Sequence, residues 1–222
     1  MLSGLILINK PSGPTSHDVV DEVRLSAKMQ QVGHAGTLDP LAEGLLIVLV
    51  GEWTKKSMQF MKLPKEYTAT LRLGLESDTC DIDGSIQEKK EFAIPPREDV
   101  ESVLEKFRGK IKQIPPKFSA IKVKGVRAYE AARRNEEIEL EAREVTINSL
   151  DVVWYRFPIL TISVSSSSGT YIRALARDIG WELGTGAVIS HLRREAIGEY
   201  NLRDAVKMRD INSKNIENFI KI

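Results

Sequence analysis

The stretch between residues 33 and 44 constrains this chain more than any other, because it combines three glycines, a proline, an aspartate and a histidine. It reads Gly33-His34-Ala35-Gly36-Thr37-Leu38-Asp39-Pro40-Leu41-Ala42-Glu43-Gly44. Glycines permit backbone conformations that a Cβ forbids, and a proline restricts the residue before it to extended conformations. Long loops between regular elements are often functional. The sequence predicts a stiff loop carrying the carboxylate of Asp39; the alternative that Asp39 caps a turn and His34 packs stays open.

Buried strands and a capped helix are predicted around this loop. The apolar segments from Gly4 to Asn9 and from Leu45 to Val50 are typical of buried strands. Thr15 and Asp18 have the spacing of a capping box, which predicts a helix beginning near Thr15 or Ser16. Residues 31–44 as a whole are predicted to be a loop.

Further patterns indicate the fold class. Apolar residues alternate with polar ones from Tyr67 to Leu75, which predicts a half-buried strand. An amphipathic helix is predicted from Arg97 to Phe107, and paired strands from Val145 to Trp154 and from Ile159 to Ser166. The order lacks a βαβ rhythm, so we expect an α+β fold with a mixed, mainly antiparallel central sheet flanked by helices and loops.

Three weaker patterns complete the secondary-structure prediction. Thr54 to Met61 is interpreted as helical, with Met58 and Met61 in the core. A short strand is expected from Phe118 to Lys124, and a helix opening at Gly169.

Composition excludes several classes of protein. The longest apolar run, Leu45 to Val50, is far shorter than the roughly 20 residues of a membrane span, and the N-terminus lacks the pattern of a signal peptide. A single cysteine, Cys80, excludes an intramolecular disulfide and a multi-cysteine metal site. We therefore expect a cytoplasmic protein without a membrane partner.

Net charge is only +1, so the total does not indicate nucleic-acid binding, whereas the distribution of basic residues is uneven. They cluster at Lys117, Lys122, Lys124, Arg127, Arg133 and Arg134, and recur at Arg193, Arg194 and Arg203. A local basic surface binds phosphates even on a neutral protein. On charge alone, an ordinary solvated surface explains these residues equally well.

Six ordered blocks across nearly the whole chain resemble the bacterial tRNA pseudouridine-55 synthases of the TruB family. The first two are Asn9-Lys10-Pro11-x-Gly13-x-Thr15-Ser16 and the loop from Gly33 to Gly44. The third runs from Lys65-Glu66-Tyr67 to Asp78-Thr79-x-Asp81-x-Asp83-Gly84. The others are Pro115-Pro116-x-Phe118-Ser119-Ala120-x-Lys122-x-x-Gly125-x-Arg127-Ala128-Tyr129-Glu130-x-Ala132-Arg133, Gly169-Thr170-Tyr171-Ile172-Arg173 and His191-Leu192-Arg193-Arg194.

The resemblance implies a pseudouridine synthase fold and an isomerase that needs neither cofactor nor metal. It implies that Asp39 is the catalytic carboxylate and Arg173 its ion-pair partner. Tyr67 is expected to stack on the uracil and to accept the C5 proton. Whether Asp39 attacks C1′, adds to C6 or removes the C2′ proton stays open.

The resemblance also implies residues that contact RNA. His34 is expected to stack within the T-loop near the extruded nucleotide, and Lys10, Tyr171 and Leu192 to support the wall of the site. Residues 110–140 are expected to form a thumb-like insertion that grips RNA. Its contact residues would be Phe118, Lys122 and Arg127.

The chain is expected to form a single catalytic domain over residues 1–222, with the C-terminal PUA domain of most bacterial members absent. Nothing in the sequence suggests more than a monomer, and the T-arm stem-loop of free tRNA is the expected partner. Two alternatives stay open: a non-catalytic RNA-binding or RNA-folding protein, and an enzyme acting on another stem-loop, guide-directed or in mRNA.

Overall fold

The computed structural model describes residues 2–119, 121–123, 126–134, 136 and 139–222, with the backbone alone for residues 122, 123, 126, 127, 129, 130 and 133. Its strands are β1 (Gly4–Lys10), β2 (Val32–His34), β3 (Glu43–Val50), β4 (Lys65–Leu73), β5 (Leu75–Ser77), β6 (Ile86–Glu88), β7 (Gly109–Gln113), β8 (Lys122–Val123), β9 (Val126–Arg127), β10 (Arg143–Arg156), β11 (Ile159–Ser166), β12 (Ala187–Ile197), β13 (Tyr200–Asn201) and β14 (Val206–Lys207). Its α-helices are α1 (Ser16–Ala27), α2 (Ser57–Met61), α3 (Arg97–Lys106), α4 (Ala128–Arg133) and α5 (Ile172–Glu182). Short 3-10 turns cover Gly51–Lys56, Leu202–Asp204, Met208–Asp210 and Ile216–Phe219.

The chain divides into two compact units, the first made of residues 1–68 and 192–222. Its central strand β3 pairs antiparallel with β1 and β2, and parallel with β12. One face of β1 and β3 packs against α1 through Ile6, Ile8, Val19, Val23 and Val48. The opposite face packs Leu5, Leu7, Leu45 and Ile47 around Phe60. This two-sided burial explains why Leu45 to Val50 is continuously apolar.

Helix α1 begins as its sequence predicts. Thr15 is the N-cap: its hydroxyl accepts a hydrogen bond from the backbone N–H of Asp18, whose carboxylate accepts one from the backbone N–H of Thr15. Both bonds satisfy donors that the first turn of a helix leaves without partners. The capping box is confirmed.

The second unit, residues 69–191, is built on long antiparallel strands. β10 pairs antiparallel with β11, which confirms the predicted pairing of residues 145–154 with 159–166. β10 also pairs antiparallel with β7, which the sequence had not predicted. Helices α3 and α5 bury one face each, with Val100 and Leu104 on α3 and Leu175 and Ile179 on α5. The α+β class and the mixed, mainly antiparallel sheet are confirmed.

Several local predictions were wrong. Residues 31–44 are not entirely loop, because β2 pairs with the end of β3. Met58 and Met61 are exposed rather than in the core: residues 51–61 form a 3-10 turn and then one turn of α-helix, and only Phe60 of α2 is buried. Helix α5 begins at Ile172, not at Gly169.

The predicted strand from Phe118 to Lys124 is limited to β8 in the part that the structure describes, and Lys124 lies outside it. Within the described residues, no helix is long and apolar enough to cross a membrane.

Candidate active site

The loop that carries Asp39 runs from residue 35 to residue 42, between β2 and β3 in the first unit. It leaves β2 through Ala35, whose N–H donates to the carbonyl of Ile47 at 2.9 Å, and enters β3 at Glu43. Gly36 has φ +112°, a value that residues with a Cβ rarely adopt. Asp39 itself is half-buried.

Every carbonyl from residue 36 to residue 40 accepts a hydrogen bond. On the N-terminal side, Arg194 donates to Thr37 at 3.2 Å and to Gly36 at 3.4 Å, and the Ser16 hydroxyl donates to Leu38 at 3.0 Å. The carbonyl of Asp39 accepts from the N–H of Ala42 at 3.1 Å.

The C-terminal side of the loop is held by the first block of the sequence. The carbonyl of Pro40 accepts from the N–H of Gly13 at 2.9 Å and from the Lys10 ammonium at 3.4 Å. Lys10 is fully buried and donates also to the carbonyls of Pro11 and Pro14. Buried donors therefore fix the main chain on both sides of Asp39, so the carboxylate is presented from a rigid base.

The charges around the loop affect Lys10. Burial lowers the pKa of its ammonium to about 8; the negative charge of Asp39 opposes this, and the positive charge of Arg194 adds to it. Removing an ammonium from water disfavours its charged form. Asp39 thus lies close enough to the buried ammonium of Lys10 to interact with it electrostatically.

His34 ends β2 and contacts the ring of His17 edge to face, with centroids 5.1 Å apart. Burial, with the nearby His17 and Arg194, lowers the pKa of His34 to about 4. A histidine with this pKa is neutral at pH 7, so its ring suits stacking better than proton transfer at that pH.

Tyr67 and Leu192 lie on strands of the first unit. Tyr67 is on β4, where inward positions alternate, and its side chain is 9% exposed. Leu192 is on β12 and is 5% exposed. Next to Tyr67 on β4, the Thr68 hydroxyl donates a hydrogen bond to the carboxylate of Glu195 on β12 at 2.8 Å.

Arg173 lies in the first turn of α5 in the second unit and is buried. Its guanidinium donates to the carbonyls of Thr79 and Phe118, both at 2.9 Å, and lies 3.5 Å from a carboxylate oxygen of Asp81. A buried guanidinium is stable only when such partners satisfy it. Arg173 is therefore not an ordinary surface charge.

Asp81, which sequence reasoning did not single out as functional, is itself buried. Its carboxylate accepts from the Thr79 hydroxyl at 2.5 Å and from the N–H of Asp83 at 3.1 Å. Burial raises the pKa of Asp81, while the Thr79 hydroxyl and the charge of Arg173 counteract that increase. The polar loop of residues 78–84 thus holds Arg173, and only its clustered aspartates could have indicated this.

Tyr171 is the N-cap residue of α5, and its main chain is held by the buried side chain of Gln113. The N–H of Tyr171 donates to Gln113 Oε1 at 2.9 Å, and Gln113 Nε2 donates to the carbonyl of Tyr171 at 3.1 Å. The pair of bonds fixes the start of the helix that carries Arg173.

Of the expected thumb residues, Phe118 is half-buried, and its carbonyl belongs to the Arg173 network. The side chains of Lys122 and Arg127 lie outside the described residues, so their predicted contacts with RNA stay predictions. Arg194 does not belong to a basic surface as its charge had suggested, because it is only 2% exposed. Throughout the described residues, no three His, Cys, Asp or Glu side chains are grouped to hold a metal ion.

Two family models match the chain. Residues 24–172 match the TruB family pseudouridylate synthase N-terminal domain, and residues 173–218 match the tRNA pseudouridylate synthase B C-terminal domain. The tRNA pseudouridine synthase B of Clostridium kluyveri is 41% identical over 99% of this chain and 75% of its own length. That of Parabacteroides distasonis is 44% identical over 98% of this chain and 95% of its own.

Solved structures of similar fold include a Cbf5-Nop10-Gar1 complex, with a TM-score of 0.72 and 28% identity. Another is an H/ACA RNP bound to a substrate RNA containing 2′-deoxyuridine, with a TM-score of 0.70 and 26% identity. Each match covers 93% of this chain and about half of the solved one.

Proposed function

The chain belongs to the TruB family of pseudouridylate synthases, and we propose that it converts the uridine at position 55 in the T-loop of tRNA to pseudouridine. Its curated relatives carry the name tRNA pseudouridine synthase B, which supports tRNA as the substrate class. The single observation that carries the proposal is the Asp39 loop, in which every main-chain carbonyl from residue 36 to residue 40 is hydrogen-bonded.

The reaction needs a fixed carboxylate. The N1–C1′ bond of uridine breaks, a C5–C1′ bond forms, the proton leaves C5 and N1 gains one, so atoms balance without any oxidant or reductant. A carboxylate beside the ribose has to be held within a fraction of an ångström while the base rotates, because misplacement is costly in rate. The clamped main chain around Asp39 supplies that rigidity.

The other residues take the roles that family resemblance gives them. We propose Arg173 as the ion-pair partner of Asp39 and Tyr67 as the base platform and proton acceptor at C5. His34, neutral at pH 7, would stack in the space that the target nucleotide vacates. Extrusion costs a few kcal/mol of lost stacking, which such contacts offset. Lys10, Tyr171 and Leu192 would line the site, and Phe118, Lys122 and Arg127 would contact RNA.

The test is to incubate the full chain with unmodified tRNA transcript and to map pseudouridine by chemical modification and primer extension. We expect one product, at position 55, and none in a matched transcript with cytidine there. Product only at another uridine, or only in a guide-paired or mRNA stem-loop, would overturn the assignment of the substrate. Absence of any product with tight tRNA binding would favour a non-catalytic RNA-binding protein.

A role of Tyr67 in proton removal makes a separate prediction. Tyr67→Phe keeps the ring and loses the hydroxyl, so it should bind tRNA normally and stall after cleavage of the glycosidic bond. An unchanged rate of isomerisation in this variant would refute the base assignment.

A further inference from the structure

Arg194 is one of the largest fully buried side chains of the protein, and it lies on β12 rather than on the loop that it contacts. Its register partner on β3 is Gly44, whose φ is +106°. A Cβ at Gly44 would lie 2.4 Å from the carbonyl oxygen of Arg194. The glycine therefore permits the close approach of the two strands that brings Arg194 under the loop.

All three guanidinium nitrogens of Arg194 donate to main-chain carbonyls. Nε donates to Leu45 at 2.7 Å, Nη1 to Thr37 at 3.2 Å and Nη2 to Gly36 at 3.4 Å. One planar side chain thus ties the start of β3 to the residues two and three positions before Asp39. A lysine ammonium is a single point donor, so it lacks the planar fork that directs three separate nitrogens toward Leu45, Thr37 and Gly36.

A buried guanidinium is costly unless its donors are satisfied, so a cation at this place needs an explanation beyond packing. An apolar residue would fill the same volume at lower cost but would leave the carbonyls of Gly36 and Thr37 without this donor. Burial, assisted by Arg194, lowers the pKa of Lys10, which agrees with two cations converging on one loop. A requirement for a fixed main chain at residues 36–40 would explain why a buried cation is used here.

We propose that Arg194 is a positioning residue for the isomerisation: it fixes the N-terminal half of the Asp39 loop, as Lys10 fixes the C-terminal half, so that the carboxylate is aligned before RNA binds. This inference rests on the proposed function, since it presumes that Asp39 acts on the nucleotide. Arg194 acts through the main chain and touches no reacting atom.

The test compares Arg194→Lys and Arg194→Met with the unchanged chain in single-turnover assays at saturating enzyme, alongside the dissociation constant for tRNA. Arg194→Lys should lower the rate of isomerisation by about 30-fold and change the affinity for tRNA by less than threefold. Arg194→Met should be slower still. Hydrogen exchange should increase at the N–H groups of Leu38 and Ala42 in both variants.

Arg108→Lys is the matched control, because Arg108 also donates two hydrogen bonds to one main-chain carbonyl, that of Leu150, and lies in the other unit. It should isomerise tRNA at the normal rate. If Arg194→Met fails to fold, Arg194→Lys decides, with its rate expressed per folded molecule from urea titration. A rate within threefold of the unchanged chain, or a loss of rate equal to the loss of affinity, would overturn the proposal. Failure of the proposed function would look different: the unchanged chain would then lack activity or Asp39→Asn would keep it.

Discussion

The Asp39 loop and the surroundings of Arg173 hold side chains of opposite charge, and both use buried charged groups and main-chain carbonyls to do so. In the first unit, two buried cations and a serine hold the main chain that carries a carboxylate. In the second unit, main-chain carbonyls and a buried carboxylate hold a guanidinium. The Asp39 carboxylate is therefore oriented indirectly, through the backbone, whereas the Arg173 guanidinium is held directly.

This difference predicts how each site fails. Substitutions around the Asp39 loop should move the carboxylate while leaving its chemistry intact, so the activation free energy should rise as the carboxylate is displaced further. Substitutions around Arg173 act on hydrogen bonds that the guanidinium itself makes, so they should change both its position and its electrostatic surroundings. Larger effects are expected at Arg173.

The largest of these effects is expected for Arg173→Lys. The ammonium keeps the charge but cannot donate to Thr79 and Phe118 in the same fork geometry, so the single-turnover rate should fall about 100-fold. Arg177→Lys on the same helix is the control, since Arg177 pairs with its neighbour Asp178 and should keep its rate within threefold. Equal losses in both variants would contradict a specific role for Arg173.

Asp81→Asn should have a smaller effect, about tenfold in rate. The amide keeps an oxygen for the Thr79 hydroxyl but removes the charge 3.5 Å from Arg173. The control is Asp83→Asn. The side chain of Asp83 is exposed, and its hydrogen bond to Asp81 comes from the backbone N–H, which the substitution keeps. A normal rate for Asp81→Asn would mean that the two carbonyls alone suffice to hold Arg173.

Lys10→Met tests the C-terminal half of the loop and should lower the rate about fivefold. Pro40 keeps the hydrogen bond from Gly13, so its carbonyl is not left without a donor. Removing a buried ammonium and leaving two proline carbonyls unsatisfied are opposing terms of about 1–3 kcal/mol each, so the free energy of unfolding should change little. Lys214→Met, at an exposed position, serves as the control. If the two variants isomerise tRNA at the same rate, Lys10 does not help to position the Asp39 loop.

The smallest effect concerns stability and His34. Its folded pKa is about 4 and its usual value 6.5, so between these values the unfolded chain binds more protons and stability falls as pH falls. After allowance for partial exposure, the loss from pH 7 to pH 4.5 is on the order of 1–2 kcal/mol. Urea unfolding at both pH values measures it, and His34→Gln should show a smaller decrease than the unchanged chain. Identical decreases would mean that His34 does not titrate as described.

Local signals explain what the sequence could predict. The capping box of Thr15 and Asp18, the apolar strand from Leu45 to Val50 and the alternation that begins at Tyr67 depend on neighbours a few residues away, and the structure confirms each. The glycines and the proline around Asp39 likewise predict a constrained loop from local rules.

Long-range burial explains what the sequence could not predict. Arg194 lies 157 residues from Thr37 in the chain, and a charged side chain is expected at the surface unless its partners are known. The burial of Asp81 could not be predicted either, because it lies in a polar loop and its partner Arg173 is distant in the sequence. The opposite error concerns Met58 and Met61 of α2: they were predicted to be buried, but their side chains are exposed.

The most direct test of the central claim, that Asp39 is the catalytic carboxylate on a clamped loop, is the single-turnover rate of Asp39→Asn on tRNA. Asparagine keeps the shape and the main-chain hydrogen bonds while removing the charge, so tRNA affinity and loop hydrogen exchange should be near normal. We predict loss of at least about 1,000-fold in the rate of pseudouridine formation. A rate within tenfold of the unchanged chain would contradict the account and remove Asp39 from the chemistry.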